Sequence, residues 1–227
     1  AYRGVSLGAE GTDMNSAIIN IQPDGSVLLE TGVHENGQGA QSAMILIAAK
    51  ELGIPKELIR YRLPSTSNIP DGGSTVASRG TIMGGGAVVN AAKIIKQRLC
   101  EGAEKALGIS GCSYKNGNIY SAQGEIVADF FAAVRWCYDH QIYPYAFGVF
   151  KAPQISWDEE TGHGNAYFSW VYSCQAAELK VNCKTGKITL LNLVAAHDIG
   201  KAINPALLTG QIYGGMAMGA GYALYEN

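Results

Sequence analysis

The stretch Thr31-Gly32-Val33-His34-Glu35-Asn36-Gly37-Gln38-Gly39-Ala40-Gln41-Ser42-Ala43-Met44 decides the fold. The alternating run Ser26-Val27-Leu28-Leu29-Glu30 leads into it, and an apolar segment from Ala40 to about Leu52 leads out. The pattern reads as a strand, a glycine loop and a core helix. The first turn of a helix carries unpaired N–H groups and partial positive charge, so phosphate or carbonyl oxygens of a ligand can dock there. Glycine lets the main chain come close, and Gln38 can donate and accept at once. Glu35 reads either as a general base or as a surface or supporting carboxylate. A glycine-eased turn would explain one such loop on its own.

The pattern recurs, which favours a ligand. Residues 15–22 alternate, Pro23-Asp24-Gly25 turns, and 26–31 returns as a hairpin. Near the other end, a strand over 166–181, a turn at Cys183-Lys184-Thr185-Gly186-Lys187 and a strand over 188–195 form a second hairpin. It leads through His197-Asp198-Ile199-Gly200-Lys201 to Gly210-Gln211, which is expected to open an apolar helix over 212–225. Hairpin, loop and helix in the same order point to a weak internal duplication and an α+β architecture. Between the two units, helix 40–52 stops at Gly53, with Pro55 beyond. A polar loop over 64–75 then leads into a long helix over about 81–107. Four glycines at its entry (Gly80, Gly84, Gly85, Gly86) require a tight contact, because each costs a helix about 0.5–1 kcal/mol relative to Ala. Lys115-Asn116-Gly117-Asn118 marks a short hairpin, and 129–140 an amphipathic helix.

Composition excludes several classes. At 227 residues and 47% hydrophobic content the chain supports one good core or two small domains. A net charge of −2 supplies no basic footprint for nucleic acid and no polybasic membrane patch. Five cysteines without C-x-x-C argue for a reducing, cytoplasmic setting and against a zinc or iron–sulfur site in the chain. The opening residues lack the apolar core of a signal peptide, and the uncharged stretch 202–225 reads as a buried helix. The four histidines (His34, His140, His163, His197) show no ligand spacing, and no phosphate-binding motif of the ordinary nucleotide folds is present. The pattern suggests a buried polar ligand gripped by helix starts, with chemistry supplied by a cofactor.

Three runs carry a resemblance: Gly37-Gln38-Gly39; Ser74-Thr75-Val76-Ala77-Ser78-Arg79-Gly80; and Asp198-Ile199-Gly200-Lys201-Ala202-Ile203-Asn204-Pro205 followed by Gly210-Gln211-Ile212-Tyr213-Gly214-Gly215. In this order and spacing the chain resembles the molybdenum hydroxylases, the xanthine dehydrogenase and aldehyde oxidoreductase family. The likeness covers nearly all of residues 1–227 and corresponds to the second half of the molybdopterin-binding subunit. A division into sub-lobes 1–110 and 111–227 is expected.

The resemblance implies a site residue by residue. Gln38, between Gly37 and Gly39, would hydrogen-bond the pterin near molybdenum. Ala77 and Ser78 would lie against the metal and dithiolene, and Arg79, Gly80 and Thr81 near the phosphate tail. Gln211 would hold the pterin from the other repeat, with Gly215 permitting close approach. Molybdenum would be held through the pterin, near Gln38 and Ala77, without a protein ligand. The implied cofactor is molybdopterin cytosine dinucleotide, with a sulfido or selenido ligand on molybdenum. Implied partners are the other half of the molybdopterin domain on a large subunit, a [2Fe-2S] subunit and an FAD subunit. The implied substrate is a small, electron-poor heteroaromatic compound, nicotinate- or purine-like, hydroxylated with oxygen from water.

The family's catalytic glutamate, in a Gly-Glu-Pro-type motif, matches no residue here, Glu226 included. The chain is thus expected to be a fragment or a split subunit, in outline closest to the divided molybdenum subunits of the nicotinate dehydrogenases. The competing expectations are a non-catalytic nucleotide or phosphate binder, or an assembly subunit, of the same ancestry.

Overall fold

In the computed structural model, which describes residues 13–76 and 78–226, the first hairpin forms where turn chemistry places it. Strands β1 (Met14–Ile21) and β2 (Val27–Thr31) pair antiparallel, and the Asp24 carboxylate closes the turn by accepting from the backbone N–H and hydroxyl of Ser26. Alternation sends Ala17, Ile19 and Ile21 of β1, with Val27 and Leu29 of β2, to one face, where all are fully buried. Helix α1 (Ala40–Leu52) lays Met44, Ala48 and Leu52, one turn apart, on that core, and ends at Gly53 in the left-handed conformation. Strand β3 (Ile59–Tyr61) joins β2 in parallel.

Helix α2 (Gly85–Leu107) is the long central helix. Its Val88, Ala91, Ala92, Ile95, Leu99 and Ala103 form the other side of the core. A small antiparallel sheet follows: β4 (Ser113–Lys115), β5 (Asn118–Tyr120) and β6 (Ile126–Asp129). Asn116 and Gly117, both at positive φ, supply its tight turn. Helix α3 (Phe130–Asp139) is capped by the Asp129 carboxylate, which accepts from the N–H of Ala132 at 2.8 Å, and it packs on α2. Strand β7 (Tyr145–Lys151) completes a four-stranded mixed sheet in the order β3-β2-β1-β7.

The β1–β7 pairing, from Met14↔Lys151 to Asn20↔Tyr145, explains where the chain divides. One compact unit takes residues 13–166 and the other 167–226, so the boundary falls at 166/167 instead of near residue 110. The segment after α2 cannot separate, because β7 is an edge strand of the β1 sheet and α3 lies on α2.

In the second unit, β8 (Tyr172–Val181) and β9 (Ile188–Asp198) form the hairpin, and α4 (Pro205–Tyr225) is its helix. Two expectations shift here. The strand begins at Tyr172, not at 166, and the helix begins at Pro205, well before Gly210. Asn204 caps that earlier start by accepting from the N–H of Leu207 at 3.2 Å, and Pro205 fits the first helical position, where its missing N–H costs nothing. A cavity of about 330 Å³ between hairpin and helix is lined by Leu179, Leu193, Val194, Met216, Ala220 and Leu224 among others. Uncharged α4 has no buried residue, and its Tyr213, Met218, Tyr222 and Tyr225 are exposed. Among the described residues no helix is long and apolar enough to cross a membrane. The observed class is α+β, hairpin–loop–helix units included.

Candidate functional site

Within the first unit, the loop 32–39 and the loop 71–80 meet. The N–H of His34 donates to Thr75 Oγ1 at 2.9 Å, joining them directly. Each loop is also tied to the sheet. The Tyr61 hydroxyl, on β3, donates to the carbonyl of Val33 at 3.1 Å and lies 2.7 Å from Thr31 Oγ1. Burial pushes the Tyr61 phenol above its ordinary range and the Glu35 charge adds to this, against the Thr31 hydrogen bond, so the hydroxyl stays a donor. Asn15, on β1, donates to the carbonyl of Gly72 at 3.3 Å.

Arg79 secures the second loop. Its side chain is 3% exposed and pairs with Asp13, 2% exposed, through both Nε and Nη2. Nη1 donates to the carbonyl of Ser74 at 2.7 Å and Nη2 to that of Met14 at 3.2 Å. The guanidinium is therefore turned inward, where it pins the loop to the start of β1.

Next to it, Ser78 sits at φ +63°, a left-handed conformation that costs a non-glycine residue of order 1–3 kcal/mol. Its side chain is exposed, and the chain passes from it into a π-turn at Gly80–Gly84 before α2 begins. Strained residues and π-turns concentrate where a backbone must present itself in one particular way. Packing explains three of the glycines around the α2 start: a Cβ on Gly84 would overlap Val33 Cγ2, and Cβ atoms on Gly85 and Gly86 would meet Ile47 and Phe150 at 2.8 and 2.5 Å. The α2 start is thus pressed onto the first loop through Val33.

In the first loop, Glu35 does what the sequence reading left open. Its Oε1 accepts from the N–H groups of Gly37 and Gly39 at 2.8 and 2.9 Å, and Oε2 from that of Gln41 at 2.9 Å. The signal was present as a carboxylate two, four and six residues before three glycine-loop or helix-start amides, at α1. Burial alone would raise its pKa, but the donations from Gln41, Gly39, Gly37 and Ala40 outweigh that, and the pKa falls below its ordinary value of 4.5. An ionised carboxylate so committed is a cap, not a general base.

The sign follows: the cap's stabilisation is complete above pH 4.5 and is lost as pH falls through the lowered folded value. Glu35→Gln is expected to lower stability by about 1 kcal/mol at neutral pH, as for other caps. Thermal melts of parent and variant should converge in acid. A difference that persists unchanged in acid would refute the charge-based cap.

Gln38 is exposed and folded onto its own loop. Nε2 donates to the carbonyl of His34 at 3.0 Å and Oε1 accepts from the N–H of Asn36 at 2.6 Å. Gly37, at φ +96°, has open space where a Cβ would lie. The rim of His34, Asn36, Gly37, Gln38, Ser74 and Ser78 thus presents an exposed polar surface. Such a donor set fits a flat, heteroatom-rich ligand if Gln38 exchanges its loop hydrogen bonds for ligand ones.

The structure brings Gly37, Gln38 and Gly39 into the same unit as Ser78, Arg79, Gly80 and Thr81, and the His34–Thr75 bond joins their loops. Ala77 lies outside the described residues. Gln211 and Gly215 belong to the second unit and are exposed on α4, with nothing within 4 Å of a Cβ built on Gly215. Gln211 sits within the helix instead of at its start, so only its side chain is free to bind. Among the described residues no group of three or more His, Cys, Asp or Glu side chains could hold a metal ion.

The whole chain, residues 1–227, matches the sequence profile of the molybdopterin cofactor-binding domain. Aldehyde oxidase 4 of Mus musculus is 31% identical over 93% of this chain and 14% of its own length. Xanthine dehydrogenase/oxidase of Mus musculus is 28% identical over 98% of this chain and 15% of its own. The chain thus spans about one seventh of these relatives. Among solved structures, aldehyde oxidoreductase from Desulfovibrio gigas superposes over 100% of this chain and 23% of its own, with a TM-score of 0.77 at 24% identity. That from Desulfovibrio desulfuricans ATCC 27774 does so over 96% and 21%, with 0.74 at 26%.

Proposed function

Because the chain belongs to the molybdopterin cofactor-binding domain family of the molybdenum hydroxylases, we propose that its joined loops 32–39 and 71–80 hold the pterin end of that cofactor. The observation that carries this reading is the convergence of the two motif loops through His34 and Thr75, beside strained Ser78 and an open Gly37. Gln38 binds the pterin by amide exchange, trading the His34 and Asn36 bonds for ligand ones. Ala77 and Ser78 lie against the metal end, and Gly80 and Thr81 toward the phosphate tail. Arg79 acts by holding the loop, since its guanidinium is spent on Asp13, Ser74 and Met14. Gln211 adds a side-chain contact from α4, and Gly215 keeps that face open.

When bound, the molybdenum cofactor supplies oxygen insertion from water and takes up the electron pair of the oxidised carbon. The chain's own contribution is to bind, orient and shield. We assign it to a molybdopterin-binding subunit, or part of one, of a multi-subunit cytoplasmic hydroxylase. Its cofactor is the cytosine dinucleotide form, its electrons leave through [2Fe-2S] and FAD subunits, and its substrate is nicotinate- or purine-like, as in the nicotinate dehydrogenases. The exposed, uncharged α4 supports a protein partner that covers it.

The competing reading, a phosphate binder that uses the start of α1, is disfavoured by Glu35. A phosphate there would displace, or sit against, a carboxylate already holding three amides. Gln38→Ala tests the assignment. A cofactor polar group left unpaired costs roughly 1–3 kcal/mol, so molybdenum and pterin content of the purified protein should fall about tenfold. Full content in the variant would overturn the role of Gln38, and a parent protein without molybdenum or pterin would overturn the function.

A further inference from the structure

Away from the loops, an open cleft of about 540 Å³ lies where α2 meets β4. It is lined by Lys96, Cys100, Glu101, Glu104, Cys112 and Tyr114 among others, and neither thiol belongs to the cofactor reading. The backbone N–H of Cys112 donates to Glu104 Oε1 at 2.8 Å, which clamps Cys112 beside α2. Cys100 lies one helical turn before Glu104 on the same face. Both cysteines are free and partly exposed. Between them the chain turns through Gly108 and Gly111, both in left-handed conformations, and residues 108–111 are exposed, so the link has freedom to adjust.

We infer that Cys100 and Cys112 form a modification site, a dithiol pair that closes to an intramolecular disulfide by exchange with a small-molecule disulfide. The Cys112 thiolate attacks one sulfur of RS–SR, forms a mixed disulfide and releases RS⁻. Cys100, its proton lost to solvent, then attacks the Cys112 sulfur and releases the second RS⁻. The two protein thiols give up two electrons, and the small disulfide is reduced to two thiols. Burial holds the Cys100 thiol up at about 11, helped by Cys112, Glu104, Cys137 and Glu101 around it, and Cys112 is raised as well. Both are protonated at neutral pH, so the pair is a slow exchanger and not a nucleophile of catalysis. The closed bond would staple the last turns of α2 to β4.

The test is peptide mapping without reduction after the full-length protein is incubated with oxidised glutathione. The expected product is a Cys100–Cys112 cross-link, with a higher melting temperature that reverts on reduction. Cys100→Ser and Cys112→Ser should each leave a stable glutathione adduct on the remaining thiol. Adducts on both cysteines of the parent without a cross-link, or a link from Cys100 to Cys137, would overturn the inference.

Discussion

Arg79→Met is expected to cost the first unit about 3–5 kcal/mol, the penalty for removing one partner of a buried ion pair. At roughly 2–4 °C per kcal/mol for a domain of this size, its melting temperature should fall by about 6–20 °C. The size of the effect comes from Asp13. Its carboxylate, 2% exposed, would lose the guanidinium that lies against it while staying buried. Two further attachments go at once, because the same guanidinium holds the carbonyls of Ser74 and Met14. Loop 71–80 would keep the bond from Asn15 of β1 to Gly72 and the His34–Thr75 bond to the first loop. Arg79→Lys should recover only part of the loss, since an ammonium cannot reproduce the fork that spans Asp13, Ser74 and Met14. Asp13→Leu combined with Arg79→Met should recover more than Lys does, because it removes the buried carboxylate along with the guanidinium. Denaturant titration of the four proteins checks the order. A parent-like midpoint for Arg79→Met would mean that the pair contributes nothing.

That ion pair joins residues 66 positions apart, and no local pattern announces it. The contrast with the elements that were legible is physical. The first hairpin follows from Pro23-Asp24-Gly25 between alternating runs, and α1 from apolar spacing that ends at Gly53: each signal lies within one turn or strand. The glycines before α2 were legible as a demand for close contact, but the contact itself, Val33 on a loop some fifty residues earlier, was not. The β1–β7 pairing is non-local in the same way, and it moved the unit boundary. At α4, two start signals competed. Gly210-Gln211 matched the first repeat, yet Asn204-Pro205 supplies a side-chain acceptor and a pre-set φ, and local capping chemistry prevailed over the analogy. Glu35 is visible in the sequence as a residue but not as a cap, because a glycine loop before a helix start accommodates an outside anion equally well. The loop had already enclosed its own.

Gly84→Ala is expected to lose about 1–3 kcal/mol, as overpacked cores do, although the same change in an open helix gains up to about 1 kcal/mol. Gly210→Ala in α4, where a Cβ would meet nothing within 4 Å, serves as the control and should stabilise. At Gly84 the new methyl would overlap Val33 Cγ2, and neither side has room to give. Val33 is 1% exposed, its N–H is bound to Thr31 Oγ1 at 3.2 Å and its carbonyl to the Tyr61 hydroxyl. Strain at this contact therefore passes into the loop that carries Gln38, or lifts the π-turn that follows Ser78. Either shift separates the two loops, so cofactor content should fall along with stability if those loops hold the pterin. Adding Val33→Ala removes the overlapping methyl. The double variant should regain both properties relative to Gly84→Ala, with a coupling of about 0.5–3 kcal/mol between the two sites. The cycle separates packing from binding. Recovered stability without recovered molybdenum and pterin would place the Val33–Gly84 contact in the scaffold alone, whereas joint recovery would make it the joint through which the α2 start sets the position of Gln38.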